Sequence, residues 1–437
     1  HRYFIDPAKG VFYVKAGNSQ IPMMGLMKEL GVDDETLKQH WGDKIFEANK
    51  DKGDHVAIDK LKAKFTKPDQ TLKDAFERME LDPEVTKRTL GHPHTRLDAA
   101  TLLATTKKLL AVSRGEAPVD DRDHLAFQQV MGPEDLIAER IAKDRAGVRR
   151  QLLYKASFKG HLQNIPSSAL QDQIDSALLE SGLGLPLEEI NAGEILDKNT
   201  QISRMGEGGI PSMDAVPSES RSVQPSHMGF IDPLRTPESS HAGVDLYMAR
   251  NARKGSDGKI YAQFKDVKTG ALVWKNPQDI ADSVLAFPGA MTSSSKRVPA
   301  MKDGRITYVP KKDVHFELPH FEHAFSPMGN MIPLKSMVKG QRVSMASRML
   351  TQALPLVNGE SPLVQSGVPG SKGTRSFEEE YGKHMGALHA QKGGQVVSVA
   401  PGKLGVRYDN GKLEHIELHD NLPYNRKSGQ TQTPVLK

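Results

Sequence analysis

The chain has 437 residues, 37% hydrophobic and 26% charged, with 59 Lys+Arg against 54 Asp+Glu and a net charge of +5. That length allows two to four folding units, and the mildly basic balance admits nucleic acid as a partner without demanding it. The absence of cysteine excludes disulfides, thiolate zinc sites, iron–sulfur clusters and thiol nucleophiles, and no run approaches the ~18 apolar residues of a membrane-spanning helix.

Arg2 to Val14 predicts a hairpin, two β-rich runs around the turn Asp6-Pro-Ala-Lys-Gly10. The first residue is His1, and no secretory pattern follows it, so the chain reads as a processed product, a cleaved piece or part of something longer. Ile21–Leu30 and Asp34–Asn49 carry helical signals separated by Gly31, with Pro22 near the first start and Asp33 placed to cap the second. Asp98 opens a cleaner helix in which Leu102, Leu103, Leu109, Leu110 and Val112 fall near one face, ended by Arg114-Gly115. A longer helical pattern runs from Glu134 to Lys155, striped by Leu136, Ile137, Ile141, Val148 and Leu152. Arg140, Lys143, Arg145, Arg149 and Arg150 stand around the rest, as a solvated face or a surface for phosphates.

From Asn191 to Ser240 the chain turns rich in Gly, Ser and Pro and loses periodicity. Inside a compact protein such a stretch calls for a partner or ligand to order it. Val244–Ala252 resumes an apolar pattern, Asp257-Gly258 marks a turn, and strands are predicted at Lys259–Phe264, Leu272–Trp274 and Arg305–Val309. Gln341–Leu354 has helical spacing led by Met345, Met349 and Leu350, and Ser361–Arg375 is loop-like. Val396–Val399, Leu404–Tyr408 and Leu413–Leu418 then form a β-meander joined by Pro-Gly and Asp-Asn-Gly turns.

Few constellations carry chemistry by themselves. Gly206-Glu-Gly208-Gly209 lacks the Lys-Ser/Thr and preceding strand of a phosphate-binding loop, and reads as a tight turn. His315, Glu317, His320, Glu322 and His323 are metal-ligating types, but Pro319 breaks any helix there, and a His-rich loop is more often simply exposed. His92-Pro-His94 offers no third ligand, and no Gly-x-Ser-x-Gly elbow exists for a serine nucleophile. Residue chemistry alone stops at a basic, multi-module protein with one long irregular segment.

That segment carries a signature. Val223-Gln-Pro-Ser-His-Met-Gly-Phe-Ile-Asp-Pro-Leu-Arg-Thr-Pro-Glu238, followed by Gly243, resembles the fork of the β subunit of multisubunit RNA polymerases, roughly V-H-P-S/T-H-x-G-x-x-C-P-x-E-T-P-E-G-x-N-x-G. Asn330-Met-Ile-Pro-Leu334, Gln341-Arg-Val-Ser-Met345 and Gln352-Ala-Leu-Pro355 resemble that family's L-I-P-F, N-R-A-L-M and Q-A-V-P, at matching spacing. In the same order, Val119–Leu125 resembles V-D-D-I-D-H-L, Asn199–Gly209 the rifampicin-pocket loop, and Ser361–Gly367 the P-L-V-G-T-G step. The resemblance covers nearly the whole chain as the middle portion of β. Gln224, Asp232, Arg235 and Ser239 depart from it, standing where the family has His, Cys, Glu and Gly. Ala126-Phe-Gln-Gln129 replaces Asn-Arg-Arg, Met213 and Asp214 take the place of fork-loop arginines, and His241 stands for an Asn. Such divergence resembles a polymerase encoded by a large phage.

The resemblance implies an α+β multidomain fold. Residues 1–181 would be the lobe and returning protrusion, 182–252 the fork, 253–326 a small external β domain, and 327–437 the beginning of a barrel-type, hybrid-binding module completed by partner chains. It implies nucleotidyl transfer, with Mg²⁺ held by a β′-like subunit and no metal ligands on this chain. Arg342 would reach the β/γ-phosphates of the nucleotide, or else form a salt bridge within the module. Gln352 would sit near the RNA 3′ end, or else satisfy its helix. Arg204 would line the RNA–DNA hybrid, Arg235 and Glu238 would face downstream duplex or β′, and Arg348 would contact nucleic acid. The implied partners are the β′-like subunit, the remaining β-like chain, DNA template, RNA transcript and NTPs, in the cytoplasm of an infected bacterium or packaged in a virion. A catalytically inactive polymerase-like structural or virion protein is the alternative.

Overall fold

The computed structural model describes residues 2–16, 18–52, 55–66, 70–159, 167–180, 184, 190–206, 209–356, 359–390, 392–423 and 429–435. The chain divides after Arg122 into two units. In the first, β1 (Arg2–Asp6) and β2 (Val11–Ala16) form the expected antiparallel hairpin, and β3 (Ser19–Pro22) extends it. The helices are α1 (Met24–Glu29), α2 (Asp34–Trp41), α3 (Asp43–Lys50), α4 (His55–Phe65), α5 (Leu72–Glu77), α6 (Pro83–Leu90) and α7 (Ala99–Ser113). Phe12, Trp41, Phe46, Leu61, Phe76 and Leu102 meet in one core between sheet and helices.

Asp33 and Asp98 cap as expected, accepting the amides of Thr36 at 2.6 Å and Thr101 at 2.8 Å. Two readings are corrected. Ile21 pairs with Val14 in the sheet and is buried, so the first helix starts later, at Met24. The pattern over 34–49 is two helices, because Gly42 at φ +81°, ψ 158° leaves the helical region.

In the second unit the long helix expected over 134–155 is also two, α8 (Pro133–Lys143) and α9 (Arg145–Lys159). Asp144 between them sits at φ −96°, ψ 21°, and Gln173 of α10 (Gln171–Leu178) donates to its carboxylate at 2.9 Å, holding the break. Of the predicted stripe only Val148 is fully buried. The stretch from Asn191 is not irregular throughout. It opens with α11 (Ala192–Thr200), and β4 (Gln201–Ser203) pairs antiparallel with β5 (Asp245–Tyr247), while the described residues between those strands form 3₁₀ turns and loops.

A seven-stranded sheet follows, from β6 (Arg253–Lys254), β7 (Ile260–Asp266), β8 (Leu272–Lys275), β9 (Leu285–Ala286), β10 (Arg297–Lys302), β11 (Arg305–Pro310) and β12 (Phe316–Glu317). Its order is β11-β10-β9-β12-β7-β6 with β8 on β7, and only β9 and β12 run parallel. α12 (Pro277–Ala281) crosses from β8 to β9. Beyond the sheet come α13 (Pro327–Met331), α14 (Gly340–Gln352) and α15 (Phe377–His384). The expected meander is β13 (Gly394–Ala400), β14 (Lys403–Tyr408) and β15 (Leu413–Glu417), and β16 (Leu422–Pro423) pairs with β17 (Gly429–Gln430). The fold is α+β.

The irregular segment is seated on the large sheet. Phe230 and Ile231 enter the core with Phe264, Leu285 and Leu318. Gly229, at φ +84°, makes this possible: a Cβ there would stand 3.0 Å from the Phe264 ring and 3.2 Å from Leu318. A side chain would lever the turn off the sheet.

Candidate functional site

Segments far apart in sequence meet in the second unit. Asp123 accepts from Arg204 Nη1 at 3.2 Å and from Ser220 Oγ at 2.8 Å. The Leu125 amide donates to Ser226 Oγ at 3.2 Å, and Ser366 Oγ donates to the Ile332 carbonyl at 3.0 Å. Each bond joins two of the segments singled out in the sequence or their immediate neighbours.

Asp232 pins the turn that follows. One carboxylate oxygen accepts the amides of Leu234 (2.8 Å) and Arg235 (3.1 Å), the other the amide of Ser326 (2.7 Å). Burial raises this carboxyl above its ordinary value, against the hydrogen bonds that lower it. Arg235, expected on a face toward nucleic acid, is instead 4% exposed. Its Nη2 and Nε reach the two oxygens of Asp197 at 2.6 and 3.3 Å, and its guanidinium lies over the Tyr247 ring at 4.6 Å. Its Nε–Nη2 edge and one face are thus already occupied. Burial raises the Asp197 carboxyl, opposed by Arg235.

The other candidate residues lie on α14 or opposite it. Arg348 and Gln352 line a cavity of about 210 Å³ together with Glu194, Lys198, Arg235 and Glu238. Arg348 stands 3.8 Å from Glu238, both half-exposed, and such a pair contributes at most about 1 kcal/mol. Arg342, near the start of α14, is exposed and touches the Met345 sulfur at 3.9 Å. Among the described residues no carboxylate lies within ion-pair range of it. Arg204, held by Asp123, lines a different part of the unit from Arg235, Glu238, Arg348 and Gln352.

Sequence reasoning passed over Asn191, whose side chain accepts the Glu194 amide and caps α11. The signal was present: Asn-x-x-Glu before an apolar step is an N-terminal helix signature. The histidine-rich loop divides among separate partners. His315 Nδ1 accepts the Val284 amide at 3.0 Å, Glu317 accepts the Met291 amide at 3.1 Å, and His323 Nε2 meets Asn251 at 3.0 Å.

His227, in the fork signature, is 3% exposed, and its Nε2 has no hydrogen-bond partner among the described residues. Burial, joined by Arg204 and His124, pushes its imidazole down from 6.5 to about 4. A folded pKa below the unfolded one means stability is intact above pH 6.5 and declines as pH falls toward 4. Between pH 7 and 5 this residue should withdraw about 2 kcal/mol. Urea unfolding of the chain at both pH values checks it: His227→Asn should show a smaller acid loss, and an undiminished loss would refute the assignment.

Residues 186–253 match the family model described as RNA polymerase Rpb2, domain 3. The DNA-directed RNA polymerase subunit beta of Thermus aquaticus is 26% identical over 351 residues, covering 77% of this chain and 30% of that protein. The same subunit of Christiangramia forsetii is 23% identical over 383 residues (83% and 29%), and that of Anaplasma phagocytophilum 24% over 390 (83% and 28%). The chain therefore spans about 30% of the length of the curated relatives it matches. Its counterpart is the middle portion of the β subunit of multisubunit RNA polymerase, in divergent form.

Proposed function

We propose that this chain is a β-like subunit, or part of one, of a multisubunit DNA-directed RNA polymerase, positioning the incoming nucleotide and the RNA–DNA hybrid for nucleotidyl transfer. The observation that carries the reading is the lining of one cavity by Glu238, Arg348 and Gln352, which come from two separately matched segments. In the reaction the RNA 3′-hydroxyl attacks the α-phosphate of the nucleotide and pyrophosphate leaves. Arg342, exposed and paired with no carboxylate among the described residues, grips the β/γ-phosphates with its planar guanidinium. Gln352 meets the RNA 3′ end as a neutral donor and acceptor, Arg348 and Glu238 stand at the cavity beside it, and Arg204 supports the hybrid-lining loop. Arg235 braces the site through Asp197 and touches no nucleic acid.

Among the described residues no group of three or more His, Asp or Glu stands where it could hold a metal. The Mg²⁺ ions of the reaction are assigned to acidic residues of a β′-like partner. The division into lobe (1–181), fork (182–252), external (253–326) and hybrid-binding (327–437) modules belongs to the same proposal. So do the remaining β-like chain, DNA template, RNA transcript and NTPs as partners. The departures at Gln224, Asp232, Arg235 and Ser239 support a phage-encoded enzyme working in the bacterial cytoplasm.

The test is template-directed RNA synthesis by the purified chain, alone and with the β′-like and remaining β-like chains. Silence alone and activity in the complex are expected. Synthesis by the chain alone would overturn the reading. So would a native complex lacking any chain with β′-type metal ligands, which would favour a non-catalytic structural role.

A further inference from the structure

One side chain closes two helices that wall the cavity. Asn191 Oδ1 accepts the Glu194 amide at 3.0 Å and caps the start of α11. Its Nδ2 donates to the carbonyls of Leu350 (2.8 Å), Thr351 (3.2 Å) and Ala353 (2.7 Å), at the end of α14. The amide orientation is dictated by these partners, because the opposite one would set its oxygen against three carbonyls.

The end of α14 needs such a donor. Ala353 leaves the helix at φ −67°, ψ 126°, not in the left-handed conformation that usually recruits following amides to the last carbonyls. Among the described residues the backbone amide that closes it locally is that of Ala353, at a long 3.4 Å from the Leu350 carbonyl. Pro355, two residues on, has no amide proton to offer. α11 contributes Glu194, Asp197 and Lys198 to the cavity, and α14 contributes Arg348, Thr351 and Gln352. Asn191 therefore fixes the spacing of the two walls and the direction of the turn that bears Gln352.

We infer that Asn191 is a positioning residue for Gln352, setting the RNA 3′ end without touching it. The inference rests on the nucleotidyl-transfer reading above. It predicts an asymmetry, because Asn191 grips only the C-terminal end of α14. Arg342 lies ten residues earlier, roughly 15 Å along the axis at 1.5 Å per residue. Loss of the grip should disturb the rate of addition and spare nucleotide binding.

Asn191→Asp and Asn191→Ser separate the two functions of the side chain. Both keep an acceptor for α11, whereas aspartate places an oxygen against the α14 carbonyls and serine removes the amide donors without adding charge. On a preassembled RNA–DNA scaffold, Asn191→Asp in the assembled polymerase should lower the addition rate at saturating nucleotide about tenfold or more. The half-saturating nucleotide concentration should stay within about twofold, and Asn191→Ser should fall between. Thermolysin digestion of the purified full chain supplies a reading independent of activity: cleavage beside the exposed Leu354 and Leu356 should accelerate in Asn191→Asp. Wild-type rates in both variants would overturn the inference, as would losses that simply follow failed assembly. If the wild-type assembly makes no RNA, the nucleotidyl-transfer reading fails, and with it the role given to Asn191, even where digestion shows the helix end loosened.

Discussion

Arg342→Ala is expected to slow nucleotide addition by about 30- to 1,000-fold, or ~2–4 kcal/mol of transition-state stabilisation, while the protein folds and assembles normally. The side chain is exposed and among the described residues touches a sulfur at 3.9 Å, so its removal strands no buried partner there and opens no cavity. What it can offer is a charged, two-pronged donor, and that donor is worth most when negative charge moves onto the departing pyrophosphate. Arg342→Lys should recover part of the loss, because the ammonium keeps the charge without the planar geometry. Single-nucleotide addition on a preformed scaffold measures this, with assembly followed in parallel. A correctly assembled Arg342→Ala enzyme adding nucleotides at nearly the wild-type rate would remove the residue from the site.

The second large effect concerns stability. Arg235 and Asp197 have side chains only 4% and 3% exposed, joined at 2.6 Å. Removing either partner strands a nearly buried charge, and single alanine substitutions should each cost about 3–5 kcal/mol of unfolding free energy. Replacing both by apolar residues of similar size, Arg235→Met with Asp197→Leu, should cost much less than the two single losses together, because no unpaired charge remains. Equilibrium denaturation of the wild type, Arg235→Met, Asp197→Leu and the double variant forms the cycle. Single losses below about 1 kcal/mol, or losses that simply add, would mean the pair is solvated and loosely held.

This pair also marks the limit of what could be read beforehand. The hairpin at Arg2–Val14, the caps Asp33 and Asp98, the helix bearing Arg342 and the C-terminal meander depend on neighbours in sequence, and their patterns were legible. The breaks at Gly42 and Asp144 were not. The first depends on one backbone conformation, and the second is held by Gln173, which lies 29 residues away. Motif order announced which segments meet in the second unit: Asp123, Arg204 and Ser226 lie in or beside matched stretches that bond to one another, and Glu238 and Gln352 in two that share a cavity. It placed Arg235 on the fork facing downstream duplex or β′, at a position where the matched family has a glutamate. Its partner Asp197 is 38 residues distant, and a glutamate at 235 would set two carboxylates together. Side-chain partnerships across such separations leave no periodic trace in a single sequence.

The thirteen residues of α14 carry Arg342 near one end and Gln352 at the other, and this makes the helix a ruler. Each residue advances the axis by ~1.5 Å and turns it by roughly 100°, so the two side chains hold a fixed offset in both distance and angle. A single residue inserted or deleted between them would keep every local contact type available, yet swing Gln352 by about a quarter-turn out of the cavity. Length between positions 342 and 352 should therefore be far less tolerant of change than residue identity on the exposed face of the same helix.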